Sequence, residues 1–288
     1  MTRLAYHAGR WIPLAAAAAA LEDRGYQFAD GVYEVIKVLD GRPRDLERHL
    51  DRLERSLAEL AIAMPTSRPA LRAILREARR RNPLRRATLY LQVTRGVAPR
   101  NHPFPKDVRP VLTVVVRHAR FPTPAERARG VAVCLLADQR WGRCDIKTTA
   151  LLPNVLAREE AERRGCREAW LVRDGRITEG TASNAFIVDA EGRLRTHPEG
   201  PQILSGITRG VILELARAEG IPISLVPFSA EEAKAAREAF LTSTTSLLLP
   251  VTRIDDTRIG DGRPGPVTRR LAERYAAYLD EPDARVAA

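Results

Sequence analysis

Cysteine and histidine are too sparse in this chain of 288 residues to indicate a metal centre or a disulfide framework. The three cysteines are odd in number and have no C-x-x-C spacing: Cys134, Cys144 and Cys166. We therefore interpret them as free thiols. The five histidines are scattered singly, and the H-E-x-x-H, G-x-S-x-G and Walker motifs are missing. These absences remove support for hydrolase and metalloenzyme functions, and no metal is predicted.

Long hydrophobic runs are also lacking. The longest apolar run near the N-terminus is the alanine run at 15–20, which is too short and too weakly hydrophobic for a signal peptide. No stretch approaches the roughly 18 apolar residues that a membrane-spanning helix needs. We therefore expect a cytoplasmic protein without a membrane partner.

Positive charge is abundant but not clustered. The net charge is +11, yet basic runs such as 79–81 and 85–86 are interrupted by Glu and Asp throughout. Nucleic-acid-binding proteins concentrate Lys and Arg where they neutralise phosphates, and no signature of such a domain accompanies these runs. A basic nucleic-acid-binding protein is therefore a remote alternative, and no nucleic-acid partner is expected.

Length and composition predict a globular protein of two domains. Hydrophobic residues make up 44% of the chain and charged residues 29%, which is typical of a folded protein, and domains usually hold roughly 100 to 200 residues. The stretch 118–124 contains Pro122 and Pro124 and is the best linker candidate. We place the domain boundary there, and the strands and helices expected before it indicate an α+β domain.

Hydrophobic periodicity predicts where strands and helices lie. Val32 to Leu39 is rich in β-branched residues and is typical of a strand, and the leucines at 46, 50, 53, 57 and 60 form the apolar stripe of a helix that Asp45 can cap. Further helices are expected from Ser67, at 151–164, at 207–219 and from Pro266, with strands at 87–94, 111–117, 131–136, 168–172, 185–188, 240–242 and 248–254.

Lysine is the residue whose scarcity is most informative. Of 47 basic residues only four are lysine: Lys37, Lys106, Lys147 and Lys234. Lys147 stands among apolar and small residues in Cys-Asp-Ile-Lys-Thr-Thr, and only a primary amine that can lose its proton condenses with an aldehyde, a task that arginine cannot perform. Taken alone, a surface lysine in a loop remains the commoner explanation.

Two segments have the composition of phosphate-binding sites. The run 205–209 (SGITR) stands at a predicted helix start, and 242–246 (TSTTS) follows a predicted strand. Each offers backbone N–H groups and hydroxyls to an anion. Separately, an ordinary helix cap and an ordinary strand end explain them as well. Gly260, Gly262 and Gly265 formally match G-x-G-x-x-G, but Pro264 and the absence of a βαβ context indicate a polar loop.

Seven segments, in this order and spacing, resemble the fold-type IV, or class IV, aminotransferases, in particular those of the D-amino acid type. The resemblance spans nearly the whole chain. The segments are 24–35 (RGYQFADGVYEV), 94–96 (TRG), 100–102 (RNH), 143–147 (RCDIK), 178–180 (TEG), 183–184 (SN) and 206–209 (GITR). The resemblance implies a two-domain α+β enzyme dependent on pyridoxal phosphate. Its small α+β domain covers 1–120, its larger, mixed β-barrel-like cofactor-binding domain covers 121–288, and its active site lies at the domain and subunit interface.

The resemblance also implies roles for individual residues. Lys147 carries the cofactor as a Schiff base and moves the substrate proton. Glu179 faces the pyridine nitrogen, where a carboxylate about 4 Å away contributes about 4 kcal/mol at an effective dielectric near 20, or roughly three pKa units. The phosphate is assigned to Arg52, Ile207, Thr208 and Thr244, with Ser243 nearby and Leu204 packing on the ring.

Tyr33, Arg100 and His102 are implied to bind the substrate α-carboxylate, the latter two reaching across from the other subunit of a homodimer. The expected reaction is ping-pong transamination between a D-amino acid, such as D-alanine or D-glutamate, and a 2-oxo acid, through pyridoxal and pyridoxamine phosphate. Branched-chain (L) aminotransferases and aminodeoxychorismate lyases are the alternatives within the family. Leu152-Pro153-Asn154 stands where branched-chain enzymes have Gly-Asn-Tyr, which counts against the first. The apolar Leu247-Leu248-Leu249 departs from the more polar family pattern and puts the side-chain preference in doubt.

Overall fold

The computed structural model describes residues 3–281, which form two compact units. The first unit runs to Arg120 and also contains the short segment Ile146–Ala150, so that Lys147 belongs to it. The second unit contains Phe121–Asp145 and the described residues from 151 onward. The assignment of residues 1–120 and 121–288 to two domains stays a prediction.

The first unit is built on a six-stranded antiparallel sheet. Its strand order is β2-β1-β6-β5-β3-β4. The strands are β1 (Leu4–His7), β2 (Arg10–Pro13), β3 (Gly31–Leu39), β4 (Arg42–Pro43), β5 (Ala87–Thr94) and β6 (Val111–His118); the helices are α1 (Arg24–Phe28), α2 (Leu46–Glu59) and α3 (Arg68–Arg81). The first two alanines of the run at 15–20 belong to a single 3-10 turn, Leu14–Ala16.

The leucine stripe of α2 packs on one face of this sheet, as predicted. Leu50, Leu53 and Leu57 are each 1% exposed and share a core with Val32 and Ile36 of β3. Burial of such side chains contributes about 1.5 to 3 kcal/mol each. The apolar periodicity of α2 therefore fixes which of its faces meets β3.

The predicted cap of α2 was wrong in its chemistry. Asp45 occupies the N-cap position, but its side chain makes no capping hydrogen bond. It instead accepts a hydrogen bond of 2.6 Å from the ammonium of Lys37, which is fully buried. A buried ammonium needs a counter-charge, and this requirement outweighs the modest gain from a cap.

The second unit contains a ten-stranded mixed sheet. The strand order is β12-β11-β10-β14-β15-β7-β8-β9-β13, with β16 beside β15, so within the described residues the sheet is open at β12 and β13. The strands are β7 (Val131–Ala137), β8 (Glu168–Arg173), β9 (Arg176–Gly180), β10 (Asn184–Val188), β11 (Leu194–Thr196), β12 (Ile223–Ser224), β13 (Phe228–Ser229), β14 (Glu238–Ser243), β15 (Leu247–Ile254) and β16 (Thr257–Arg258). The helices are α4 (Pro124–Arg129), α5 (Leu152–Arg163), α6 (Ile207–Ala218), α7 (Ala230–Lys234) and α8 (Pro266–Asp280).

The pairing of β10 with β14 positions polar residues at one end of these strands. Asn184 stands opposite Thr242 in this antiparallel ladder, and Ser243 follows at the end of β14. The β8–β9 hairpin turns at Asp174-Gly175, both in the left-handed region, as the sequence predicted. Glu179 lies near the far end of β9.

The three cysteines are buried and free. None of the helices formed by residues 3–281 has the length and apolar character needed to cross a membrane.

Candidate active site

Lys147 lies in the first unit, on a segment that runs beside the start of β3. The backbone N–H of Tyr33 donates to the carbonyl of Lys147 over 2.9 Å. The N–H and hydroxyl of Thr149 both donate to the carbonyl of Gly31, over 3.0 and 3.3 Å. Ile146 is buried in the core of this unit. The backbone on both sides of Lys147 is therefore fixed, while its side chain is half-buried.

The amine of Lys147 faces an aromatic ring rather than a carboxylate. Its Nζ lies 4.2 Å from the centroid of the Tyr33 ring, which in turn stacks on Tyr90 with centroids 5.8 Å apart. Lys37 and Lys234 bind aspartates at 2.6 and 2.8 Å, whereas within residues 3–281 no ion pair engages Lys147. An amine that is not held in a salt bridge can reach an aldehyde without first breaking an ion pair, which suits a lysine that forms an imine.

Arg52 lies on α2, one turn before Ser56, whose hydroxyl is 3.4 Å from the backbone nitrogen of Lys147. Nε and Nη2 of Arg52 donate to Oε1 and Oε2 of Glu34, over 2.7 and 2.8 Å. Nδ1 of His49 lies 2.7 Å from the same Oε2. Burial alone would raise the pKa of Glu34, but Arg52 and His49 lower it well below its usual range. Glu34 is therefore an anion that orients the Arg52 guanidinium.

Arg100 and His102 occupy an exposed loop of the first unit. The guanidinium carbon of Arg100 is 4.5 Å from the ring centroid of Phe28, and the ring of His102 is 5.6 Å from it. Within a single chain, Arg100 and His102 therefore contact Phe28. Tyr33, the third residue implied to bind the α-carboxylate, instead contacts Lys147. Their exposure leaves both side chains accessible to a ligand or a second chain.

Glu179, in the second unit, is 5% exposed and is surrounded by donors. Nδ2 of Asn184 donates to it over 2.9 Å, the backbone N–H of Leu204 lies 3.1 and 3.2 Å from its oxygens, and Nη1 of Arg140 donates to Oε1. Three donors stabilise the ionised form of a buried carboxyl group. Glu179 is therefore a buried, hydrogen-bonded residue and not a solvated one.

Arg140 is a residue of this site that sequence reasoning missed. It binds the carboxylate of Asp138 with Nε and Nη2, both at 2.9 Å, in addition to Glu179. Burial disfavours its charge, yet Asp138 and Glu179 raise the pKa of Arg140 above its ordinary value. Because Arg140 is one of 43 arginines and stands three residues before the recognised 143–147 segment, no local signal distinguished it.

The N-cap residue of α6 leaves its first-turn N–H groups without a side-chain cap. Gly206 is its N-cap residue and has no side chain to accept from the first-turn N–H groups of Ile207 and Thr208. A Cβ at Gly206 would lie 2.0 Å from Oδ1 of Asn184, so only glycine fits. The hydroxyl of Thr208 is buried and finds no hydrogen-bond partner among the described residues. Uncapped N–H groups and a buried hydroxyl suit a phosphate.

The turn between β14 and β15 adds further hydroxyls. Ser243 and Thr244 are half-buried, and Oγ of Ser243 accepts a hydrogen bond of 2.9 Å from the N–H of Ser246. The hydroxyl of Thr242 is a second buried group with no partner in the described part of the chain. Helix α6 packs against β14. The residues present in this unit therefore fit a phosphate ester that accepts hydrogen bonds from them.

Comparisons with known proteins agree with this chemistry. The family model for amino-transferase class IV matches residues 31–254. D-alanine aminotransferase of Bacillus licheniformis is 41% identical over 91% of this chain and 92% of its own length, and that of Listeria monocytogenes serotype 4b is 41% identical over 90% of each. Branched-chain amino acid aminotransferase of Escherichia coli superposes with a TM-score of 0.89 at 24% identity, over 96% of this chain and 94% of that one. The predicted fold-type IV architecture and enzyme class are confirmed. The chain therefore belongs to the class IV aminotransferases, a family of pyridoxal-phosphate-dependent enzymes.

Proposed function

We propose that this chain is a D-amino acid transaminase, which passes the amino group of a D-amino acid such as D-alanine or D-glutamate to a 2-oxo acid in a ping-pong reaction. The observation that carries the proposal is the amine of Lys147, which is fixed through its backbone, faces Tyr33 and is in no ion pair of the described residues. The preference for D-amino acids is supported by relatives that are 38% to 41% identical and bear the name D-alanine aminotransferase.

Eight residues of the chain would hold pyridoxal phosphate. Lys147 would bind it covalently through its amine, Glu179 would stand beside the pyridine nitrogen, and Leu204 would pack on the ring. The phosphate would be bound by Arg52, Ile207, Thr208, Ser243 and Thr244. When bound, the cofactor supplies the aldehyde that accepts the amino group and a ring that withdraws electrons from the substrate Cα. The unpartnered hydroxyl of Thr208 supports the phosphate assignment.

Lys147 and Glu179 have different tasks in the reaction: the first moves the substrate proton, and the second supplies a negative charge. The amine of Lys147 removes the Cα proton of the donor amino acid, and in the second half-reaction it returns a proton to Cα of the product. The negative charge of Glu179 would stabilise a protonated pyridine nitrogen, and the hydrogen bonds from Asn184 and Leu204 keep that carboxylate in place. Arg140 donates a further hydrogen bond to the same carboxylate.

Substrate handedness would be set by the residues that bind the α-carboxylate, namely Tyr33, Arg100 and His102. The guanidinium of Arg100 matches a carboxylate with two parallel hydrogen bonds. Because Arg100 and His102 are exposed in the single chain, we propose a homodimer in which they act on the partner's substrate. A cytoplasmic location belongs to the same proposal.

Side-by-side assays of D-alanine and L-leucine with 2-oxoglutarate test this function. We expect turnover of D-alanine and little of L-leucine. Arg100→Ala should lower kcat/KM for D-alanine by about 30-fold to several thousand-fold, because removing one partner of a desolvated charge pair costs on the order of 2 to 5 kcal/mol. Preference for L-leucine would move the chain to the branched-chain aminotransferases. Turnover of neither, with release of product from aminodeoxychorismate, would move it to the lyases.

A further inference from the structure

The loop that carries Arg100 and His102 has little that could fix its own position. All five residues from 100 to 104 are exposed, so none of them belongs to the buried core of the first unit. An exposed loop without buried side chains depends on hydrogen bonds to be ordered. A loop that binds a substrate carboxylate must also be held close to its productive position, since a displacement of about 1 Å can cost about 100-fold in rate.

Arg24 provides the missing anchor. It is 3% exposed, and its three guanidinium nitrogens have three different acceptors. Nη1 donates to the carbonyl of Asn101, Nη2 donates to the carbonyl of His102 over 3.2 Å, and Nε donates to Oδ2 of Asp30 over 2.8 Å. The plane of this guanidinium is therefore fixed by Asp30, and the loop backbone is fixed by the guanidinium.

Asp30 joins this anchor to the rest of the first unit. It also accepts from Nε and Nη2 of Arg95, over 2.8 and 3.0 Å. The guanidinium carbon of Arg95 lies 3.6 Å from the centroid of the Phe104 ring. Phe104, at the far end of the loop, therefore packs on an arginine that Asp30 orients. Burial favours the neutral acid, but Arg95 and Arg24 lower the pKa of Asp30 below its ordinary value. Asp30 directly precedes β3, the strand of Tyr33.

The side chains of Arg24, Arg100 and His102 all contact the ring of Phe28. The guanidinium carbon of Arg24 is 4.8 Å from the centroid of the Phe28 ring, which Arg100 and His102 also contact. The backbone near the loop is tied to the same segment, because the N–H of Arg24 donates to the carbonyl of Gly96 over 2.9 Å. Arg24 therefore contacts both the backbone of the loop and the ring on which its two functional side chains rest.

We propose that Arg24 is a positioning residue for substrate, which holds the Asn101–His102 backbone so that Arg100 and His102 meet the α-carboxylate. The inference rests on the proposed function. Arg24 itself does not touch the substrate. Lysine would not replace it, because an ammonium on a flexible stem lacks the planar fork that reaches two carbonyls and a carboxylate together.

Steady-state kinetics of the holoenzyme with D-alanine and 2-oxoglutarate test the inference. We expect Arg24→Gln to raise KM for D-alanine and lower kcat/KM by about 10-fold to 100-fold, with an unchanged absorbance spectrum of the bound cofactor. Arg24→Lys, which keeps the buried charge and guards against misfolding, should show a smaller defect of the same kind. Lys106→Gln removes one positive charge from an exposed position of the same segment and should match the wild type.

A double-mutant cycle separates positioning from a merely structural role. If Arg24 acts through Arg100 and His102, then Arg24→Gln should cause a smaller further loss in Arg100→Ala than it causes in the wild type. Losses that multiply, or folded Arg24→Gln and Arg24→Lys proteins with wild-type KM, would overturn the inference. If Arg100→Ala itself is without effect, the α-carboxylate assignment fails and the role of Arg24 fails with it. A defective Arg100→Ala beside a normal Arg24→Gln refutes the inference alone.

Discussion

Replacing Glu34 with Gln should destabilise the protein far more than the loss of a surface carboxylate. Glu34 is fully buried and Arg52 is 7% exposed, so the substitution leaves a buried guanidinium facing an amide. Removing one partner of a buried ion pair costs about 3 to 5 kcal/mol. Since Gln keeps a hydrogen-bonding group of the same size, we expect the lower end, about 3 kcal/mol.

The matched control is Asp40→Asn. Asp40 binds Arg85 at 2.7 Å, but the two side chains are 70% and 82% exposed, and such pairs contribute at most about 1 kcal/mol. Urea unfolding of the holoenzymes at pH 7 measures both changes. Because the folded pKa of Glu34 lies below the unfolded value of 4.5, its stabilisation is present above that pH and is lost as the pH falls further. A loss in Glu34→Gln no larger than in Asp40→Asn would refute this reasoning.

Three further predictions concern the second unit. Glu179→Gln should keep the cofactor bound while kcat falls steeply, because the charge is lost and the amide retains the size; an unchanged kcat would remove Glu179 from the site. Thr208→Val should weaken cofactor binding by about 10-fold or more, since hydrogen bonds to charged groups are worth about 1.5 to 3 kcal/mol; equilibrium dialysis measures this, and unaltered affinity contradicts it. Burial raises the pKa of Glu168 to about 7 from 4.5, although Ser183 and Arg158 oppose the shift. The stabilisation from its proton is therefore complete below pH 4.5 and lost as the pH rises through 7. In urea unfolding, the free energy of unfolding of Glu168→Gln should rise by about 3 kcal/mol relative to that of the wild type between pH 4.5 and 8. Parallel pH profiles of the two proteins would be inconsistent with this.

Long elements with a clear apolar period were predictable from the sequence. The stripe of α2 and the strand β5, predicted at 87–94, are present as expected. Short elements were not predicted from the sequence. A pair of four-residue strands such as β1 and β2 is stabilised by its partners in the sheet and is too short to show a hydrophobic period. The same holds for β12, β13 and β16, each of two residues.

The candidate site divides in a similar way. Lys147 could be suspected from chemistry, since lysine is rare in this chain and an imine requires a primary amine. Glu179 could be recognised only through the family resemblance. The roles of Arg24 and Arg140 could not be predicted, because they depend on tertiary hydrogen bonds with residues 77 and 39 positions away.

Borohydride reduction of the holoenzyme, followed by digestion and peptide mass analysis, tests the central claim most directly. Reduction makes the link between a lysine and pyridoxal phosphate permanent, so the modified lysine can be located by mass. We expect the added mass on the peptide that contains Lys147 and on no other, and none in Lys147→Ala. Modification of Lys37, Lys106 or Lys234 in the wild type, or a reducible link that persists in Lys147→Ala, would contradict the account.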